Sequence, residues 1–250
     1  MLEIDVQNNV SEYYETQRYE KFYSKMYHEW WNNKMFSLLT KRGRILDNGC
    51  GTGLLSEMKA LSSESIIGMD ISEGMLKYAS LRMKNIICAD AMSSPFKSNS
   101  FDIIIARSLL HHLNQPHKAL EEMYRIARQN AEIVLVDTNQ SLLSYIPRMI
   151  SSKGAHFSDD HKNMNYKVLI KMIQQYFSID HIHFFGYFAY PLGFPDIFDF
   201  GNFFSKVHMR SITRLLITVD ALISKIPFIN KQSWGIMIKA TKKGLHNNVN

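Results

Sequence analysis

The chain is 250 residues long, with 46% hydrophobic and 21% charged residues and a formal net charge of +6. These proportions exclude a disordered, collagenous or coiled-coil chain and leave apolar material for one large core or two small ones. Two cysteines, Cys50 and Cys88, supply neither a disulfide framework nor a four-cysteine zinc site, so a reducing compartment is expected.

Met1-Leu2-Glu3-Ile4-Asp5 lacks the basic and apolar regions of a secretory leader, and the late apolar stretch is broken by Arg210, Arg214, Asp220 and Lys225. The expectation is a cytoplasmic protein with no spanning helix. Lysines and arginines are scattered, with no long basic run and no stacked aromatic-basic motif, so nucleic acid is not expected as a partner.

From Val10 to about Thr40, apolar and aromatic residues recur at three- and four-residue spacing, including Tyr13, Tyr14, Tyr27, Trp31 and Phe36, and predict one or two helices. Arg44-Ile45-Leu46-Asp47 then reads as a strand that runs into a glycine turn. Leu54, Leu55, Met58 and Leu61 resume helical spacing after it. A second strand, Ser65 to Asp70, leads to a helix capped by Ser72. Further buried runs follow at Asn85–Asp90, Phe101–Ala106 and Glu132–Asp137, with a helix over Lys118–Arg128. Continuous apolar runs alternating with helices predict a parallel sheet covered on both faces. Beyond Asp137 the expected strands are about Ile179–Phe188 and Ser233–Thr241, separated by an aromatic-rich insertion whose later part has a helical apolar face. The whole is expected to be one domain: a helical lid over about 1–40, a core over 41–138, a helical segment over 139–178, an insertion over 188–232 and a last strand over 233–241.

The sharpest chemical signal is Asp47-x-Gly49-x-Gly51-x-Gly53 between strand and helix. Bare backbone lets a nucleotide-type ligand come close, and the following turn presents unpaired N–H groups. A dinucleotide fingerprint would place glycine where Leu54 stands, which disfavours a pyrophosphate ligand. Asp70, at the end of the second strand, can accept both ribose hydroxyls. Asp90, followed by Ala91, is placed to accept an adenine amine.

Ile45-Leu46-Asp47-Asn48-Gly49-Cys50-Gly51-Thr52-Gly53, Gly68-Met69-Asp70-Ile71-Ser72, Ala89-Asp90 and Phe101 to Leu113 occur in order, and together they resemble the class I S-adenosylmethionine-dependent methyltransferases, especially the small-molecule branch. The resemblance covers about Ile45 to Asp137. It implies a Rossmann-like α/β fold: a seven-stranded, mostly parallel sheet with an antiparallel last strand and helices on both faces. It also implies that S-adenosylmethionine is the cofactor. Asp47, Asn48, Gly49, Cys50, Gly51 and Gly53 would hold its methionine part, Asp70 its ribose, Ile71 and Met75 the adenine face, and Asp90 and Ala91 the amine side. Arg107 would lie near the methionine carboxylate or the sulfonium. The sequence departs from the family at Asn48, where an apolar residue is usual, and at Gln129-Asn130-Ala131, where paired glycines are common. Asn130 tolerates a left-handed turn, so the sheet is expected to survive that change.

Methyl transfer needs alignment and exclusion of water more than a base. For a hydroxyl or ammonium acceptor, His111 and His112 are the candidate bases. Tyr13, Tyr14, Tyr187 and Tyr190 are the candidate acceptor-binding residues, and the acceptor is expected to be a small, partly apolar metabolite. The aromatic stretch from Tyr187 to Phe204 reads either as the core of an added subdomain or a homodimer contact, or as an apolar acceptor pocket. Lys206, Arg210, Arg214 and Lys225 around its helix fit a reversible membrane-surface contact. No metal is expected at His181-x-His183 or Asp159-Asp160-His161. The rival functions are a catalytically silent cofactor-binding partner subunit and, further off, a nicotinamide oxidoreductase.

Overall fold

A computed structural model describes residues 3–58, 65–144, 164–195 and 206–242. The seven strands are β1 (Arg44–Asn48), β2 (Ser65–Asp70), β3 (Ile86–Cys88), β4 (Phe101–Arg107), β5 (Ala127–Thr138), β6 (Phe177–Phe185) and β7 (Gly235–Lys242). They form one sheet in the order β3-β2-β1-β4-β5-β7-β6. Parallel register sets Ile45 beside Ile66 and Ile103, and Ile105 beside Val134. β7 runs antiparallel to both neighbours, pairing Ile238 with Leu135 and with Ile182. This is the architecture the sequence leads one to expect.

Ile103, Ile104 and Ile105 are all buried because successive strand side chains point to opposite, equally covered faces. On one face, Leu46, Ile104, Ile133 and Leu135 pack against α5 (Pro116–Ile126) and α6 (Tyr166–Ile173). α5 starts with Pro116 in its first turn and buries Ala119, Leu120, Met123 and Ile126 at helical spacing. The opposite face carries α3 (Phe22–Phe36) and α4 (Glu73–Ala79).

The stretch from Val10 to Thr40 holds two helices, α2 (Tyr14–Tyr19) and α3, and a further one, α1 (Glu3–Val10), precedes them. Of the three, α3 is not a lid. Trp31, Met35 and Phe36 join Ile45, Ile103, Ile105 and Val136 in the core, and exposing each such side chain costs about 1.5–3 kcal/mol. Only α1 and α2 remain as cover.

Other boundaries differ for local reasons. Among the described residues after the glycine turn a 3-10 turn forms, Leu54–Glu57, where the Ser56 hydroxyl donates back to the Gly53 carbonyl at 2.7 Å. Leu61 lies outside the described residues. β6 covers Phe177–Phe185 rather than running to Phe188, because Gly186 turns left-handed at φ +76. Asn130 is indeed left-handed, at φ +60, and β5 carries an irregularity in its pairing with β4 there.

In the expected insertion, α7 (Lys206–Ile223) lays Met209, Ile212, Leu216 and Ile217 on Tyr23 and Tyr27 of α3. Asp220, at 1% exposure, accepts the backbone N–H groups of Tyr187, Phe188 and Ala189 at 2.8, 2.9 and 3.1 Å and pins the chain beyond β6 to α7. No helix of the described residues is long and apolar enough to cross a membrane.

Candidate active site

β2 and β3 are laid down on one side of β1, and β4 and β5 on the other. The chain thus leaves a crevice at the carboxyl ends of β1 and β4, the place where open α/β sheets take ligands. Gly49, Gly51 and Gly53 all have positive φ there, +77, +53 and +78. A side chain at Gly53 would meet Met83 and Ala79, whereas one at Gly51 would enter open space. Gly51 therefore serves its own left-handed backbone and keeps the crevice bare.

Asp47, the next-to-last residue of β1, is 1% exposed, and neither carboxyl oxygen has a hydrogen-bond partner. Burial drives its pKa up to about 7; Arg107 pulls it down and Asp70 adds to the rise. The side-chain oxygen of Asn48 is likewise buried and unpartnered, as are the Trp31 indole N–H and the Thr138 hydroxyl. Buried polar atoms are almost always paired, so the adjacent orphans Asp47 and Asn48 at the end of β1 call for a polar partner.

Asp70 accepts the N–H of Gly51 at 2.8 Å and that of Ser72 at 2.9 Å. Burial raises its carboxyl pKa, and these hydrogen bonds oppose the rise. Ile71 is exposed, while Met75 is buried in α4, so only Ile71 of the expected adenine pair faces solvent. Asp90 is half-buried, and one of its oxygens accepts the Met92 N–H at 2.8 Å. Ala91 is buried beside it. Cys50 is buried against Gly68, and burial raises its thiol, so it shapes the turn without reactivity.

Arg107 ends β4 and donates to Asn32 Oδ1 at 3.1 Å, with its guanidinium 5.9 Å from the Trp31 ring centre. Burial works against the cation, but Tyr19, Tyr14 and Asp47 hold its pKa above the ordinary value. Nothing in the sequence pattern singles out Tyr19 or Asn32, since their approach depends on how α2 and α3 dock. Ser108 follows in a left-handed conformation at φ +54, which strains a non-glycine residue at the mouth of the crevice.

The two histidines separate clearly. His111 is 4% exposed, and its Nδ1 lies 2.6 Å from Asp137 Oδ1. Asp137 also accepts from the Leu110 and Thr138 amides, at 3.0 and 2.6 Å. Despite burial, His111 keeps the Asp137 carboxyl below the usual range. His112 is less buried, with its ring centre 4.1 Å from that of His111. Asp137 is a strand end in the sequence and acquires a site role only through this contact.

Of the four tyrosines, Tyr14 belongs to the site region through Arg18, whose guanidinium spans the Tyr14 and Phe194 rings at 5.5 and 4.5 Å. Tyr190 stacks on Phe194 and Trp234 at 4.7 and 4.9 Å. Tyr13 is 41% exposed. Tyr187 is not brought to the crevice wall: its hydroxyl donates to the Asn230 carbonyl at 2.7 Å, turned toward the loop after α7. Tyr19 and Trp31 lie beside Arg107 instead, and Phe194 beside Arg18.

α1 and α2 bind the cofactor loops from above. Asn8 Oδ1 accepts from the Ser72 hydroxyl at 2.6 Å and from the Gly74 N–H at 3.0 Å, and Arg82 ties Glu15 of α2 to Glu57 and the Thr52 carbonyl. An anionic group for an ammonium, a cation for a carboxylate, bare backbone and a second acid for a ribose fit S-adenosylmethionine.

Residues 46–135 match the family model for the methyltransferase domain. A demethylmenaquinone methyltransferase of Renibacterium salmoninarum is 38% identical over 96 residues, 38% of this chain and 40% of that protein. One of Staphylococcus epidermidis is 30% identical over 153 residues, 57% of this chain and 63% of that protein. The chain thus spans 40 to 63% of the length of these relatives. A SAM-dependent methyltransferase structure from Thermotoga maritima superposes with a TM-score of 0.67 at 17% identity, covering 96% of this chain and 100% of that one, and shares the fold. Over residues 46–135, from the first strand to the fifth, the chain is similar to the methyltransferase domain, and its described residues share the fold of the Thermotoga maritima structure.

Proposed function

We propose that the protein transfers the methyl group of S-adenosylmethionine to an O, N or C nucleophile on a small, partly apolar acceptor. The observation that carries this reading is the buried Asp47 carboxyl, with both oxygens unpartnered, beside the open space at Gly51 and the Arg107 cation. When bound, the cofactor supplies an electrophilic methyl on a sulfonium.

Asp47 would take the methionine ammonium and Arg107 its carboxylate, two charge-assisted contacts that fix the direction of the methionine chain. Asp70 would accept the ribose hydroxyls while holding the Gly51 turn. Asp90 would accept the adenine amine, with Ile71 against the ring. Tyr14, Tyr19, Trp31 and Phe194 would form the apolar side of the acceptor chamber and exclude water, leaving alignment as the main source of rate. The relatives named for demethylmenaquinone agree with an acceptor that has an apolar part.

His111 would act as general base where the acceptor gives up a proton. With Nδ1–H donated to the Asp137 carboxylate, Nε2 is left as the basic nitrogen, and the carboxylate stabilises the imidazolium that forms. His112 would polarise the same corner of the crevice, between Asp70 and Asp137.

A radiolabelled methyl donor offered with fractionated small metabolites tests the proposal. Label should pass to an organic-extractable small molecule and should be lost in Asp47→Ala. Cofactor binding without transfer to any fraction would favour the silent partner subunit.

A further inference from the structure

We propose that the outer face of α7 and the loop after it dock on an anionic lipid surface. The inner face of α7 is committed to α3, while Leu215 and Leu222 on the outer face are 61% and 58% exposed. The helix runs into Ile226-Pro227-Phe228-Ile229, where Ile226 and Ile229 are exposed and Phe228 reaches 80%. Phe228 is held at φ +67, a left-handed conformation that a bulky side chain adopts only under constraint. The loop therefore spends backbone strain on holding an aromatic ring in solvent. Contiguous exposed apolar side chains of this kind mark an interaction surface.

Charge identifies the occupant. Arg210, Arg214 and Lys225 are exposed among these apolar residues, and Lys231 follows them. From Lys206 to Lys242 the only acid is Asp220, which is buried against three backbone N–H groups. The neighbouring described stretches 139–144 and 164–179 contain no acid at all. Beside Phe228 opens a cleft of about 700 Å³ edged by Lys167, Lys231, Gln140 and Leu142. Cations around an apolar centre suit anionic headgroups over acyl chains. A second copy of the same face would set arginines and lysines against one another with no acid to neutralise them. A nucleic acid would leave the leucines and isoleucines without a partner.

Co-sedimentation of the full chain with vesicles tests this, using phosphatidylcholine alone and phosphatidylcholine with about 30% phosphatidylglycerol. Binding is expected only to the anionic vesicles, and it should weaken as salt rises to about 0.5 M. Phe228→Gly keeps the left-handed backbone without strain, so the fold should survive while partitioning falls several-fold. The double variant Lys225→Glu, Lys231→Glu should lose about tenfold or more, with cofactor affinity unchanged in both. No binding to anionic vesicles, equal binding to neutral ones, or indifference to both variants would overturn the proposal. So would a concentration-dependent dimer in ultracentrifugation that Phe228→Gly dissolves, which would assign the face to a second copy.

Discussion

The carboxylate of Asp70 accepts the backbone N–H of Gly51 at 2.8 Å, so the acid that ends β2 also holds the glycine turn that ends β1. On the proposed reading, one side chain would serve both as ribose acceptor and as brace for the bare backbone. Asp70→Ala should weaken S-adenosylmethionine binding tenfold to a hundredfold, about 1.4 to 3 kcal/mol. Calorimetric titration checks this, and unchanged affinity would remove Asp70 from the site.

Asp47 makes stability and binding pull against each other. Its pKa rises from 3.8 to about 7 on folding. Between those values the folded chain keeps a proton that the unfolded chain has released, so this contribution to stability is full below about pH 4 and is lost as pH rises through about 7. The full shift is worth about 4 kcal/mol. His28, pushed down to about 3 by burial, acts oppositely: its contribution is present above about 6.5 and lost as pH falls. Asp47→Asn removes the first effect and leaves the second. It should raise the melting temperature of the ligand-free protein at pH 7.5 by about 5–10 °C, while weakening cofactor binding.

The same titration appears in the binding reaction itself. Near pH 6 the Asp47 carboxyl is mostly protonated, and an arriving ammonium favours its ionised form. Cofactor binding at that pH should release about one proton per site. Titrations in buffers of different ionisation enthalpy measure it, and Asp47→Asn should abolish it.

For a proton-bearing acceptor, Asp137→Asn should lower kcat by about 10²- to 10⁴-fold and leave cofactor affinity within about twofold. His111→Gln should lower kcat to a similar extent at saturating cofactor. An unaltered kcat in His111→Gln would make the His111–Asp137 pair structural.

Far from the crevice, Glu132 at 3% exposure gathers the Thr40 and Lys41 amides, the Thr40 hydroxyl and Lys239 Nζ. Burial opposes the charge, but these donors bring its pKa down to about 2. Its contribution is present above about pH 4.5 and lost as pH falls toward 2. Glu132→Ala leaves the cation and two amides unmet and should cost about 3 kcal/mol in urea unfolding at pH 7. A loss below about 1 kcal/mol would show that solvent replaces the carboxylate.

What could be read from the sequence was whatever local chemistry dictates. The run from Ile103 to Ile105 required a doubly covered strand, the spaced glycines required bare backbone at a strand-to-helix turn, and Asn130 could take the turn usually given to glycine. The residues that went unread depend on long-range docking. Tyr19 and Asn32 reach Arg107 only through the placement of α2 and α3, and Asn8 reaches Gly74 only because α1 crosses α4. His111 and His112 are indistinguishable as neighbours in the chain; only the return of β5 beside β4 gives one of them Asp137. Tyr187 and Tyr190 look alike for the same reason, until Asn230 claims the first.

Calorimetric titration of the full chain with S-adenosylmethionine tests the cofactor site most directly. One site per chain is predicted, with a dissociation constant of about 1–100 µM and at least about tenfold weakening in Gly51→Val. No binding of S-adenosylmethionine or S-adenosylhomocysteine, together with a thermal shift from NADH, would contradict it.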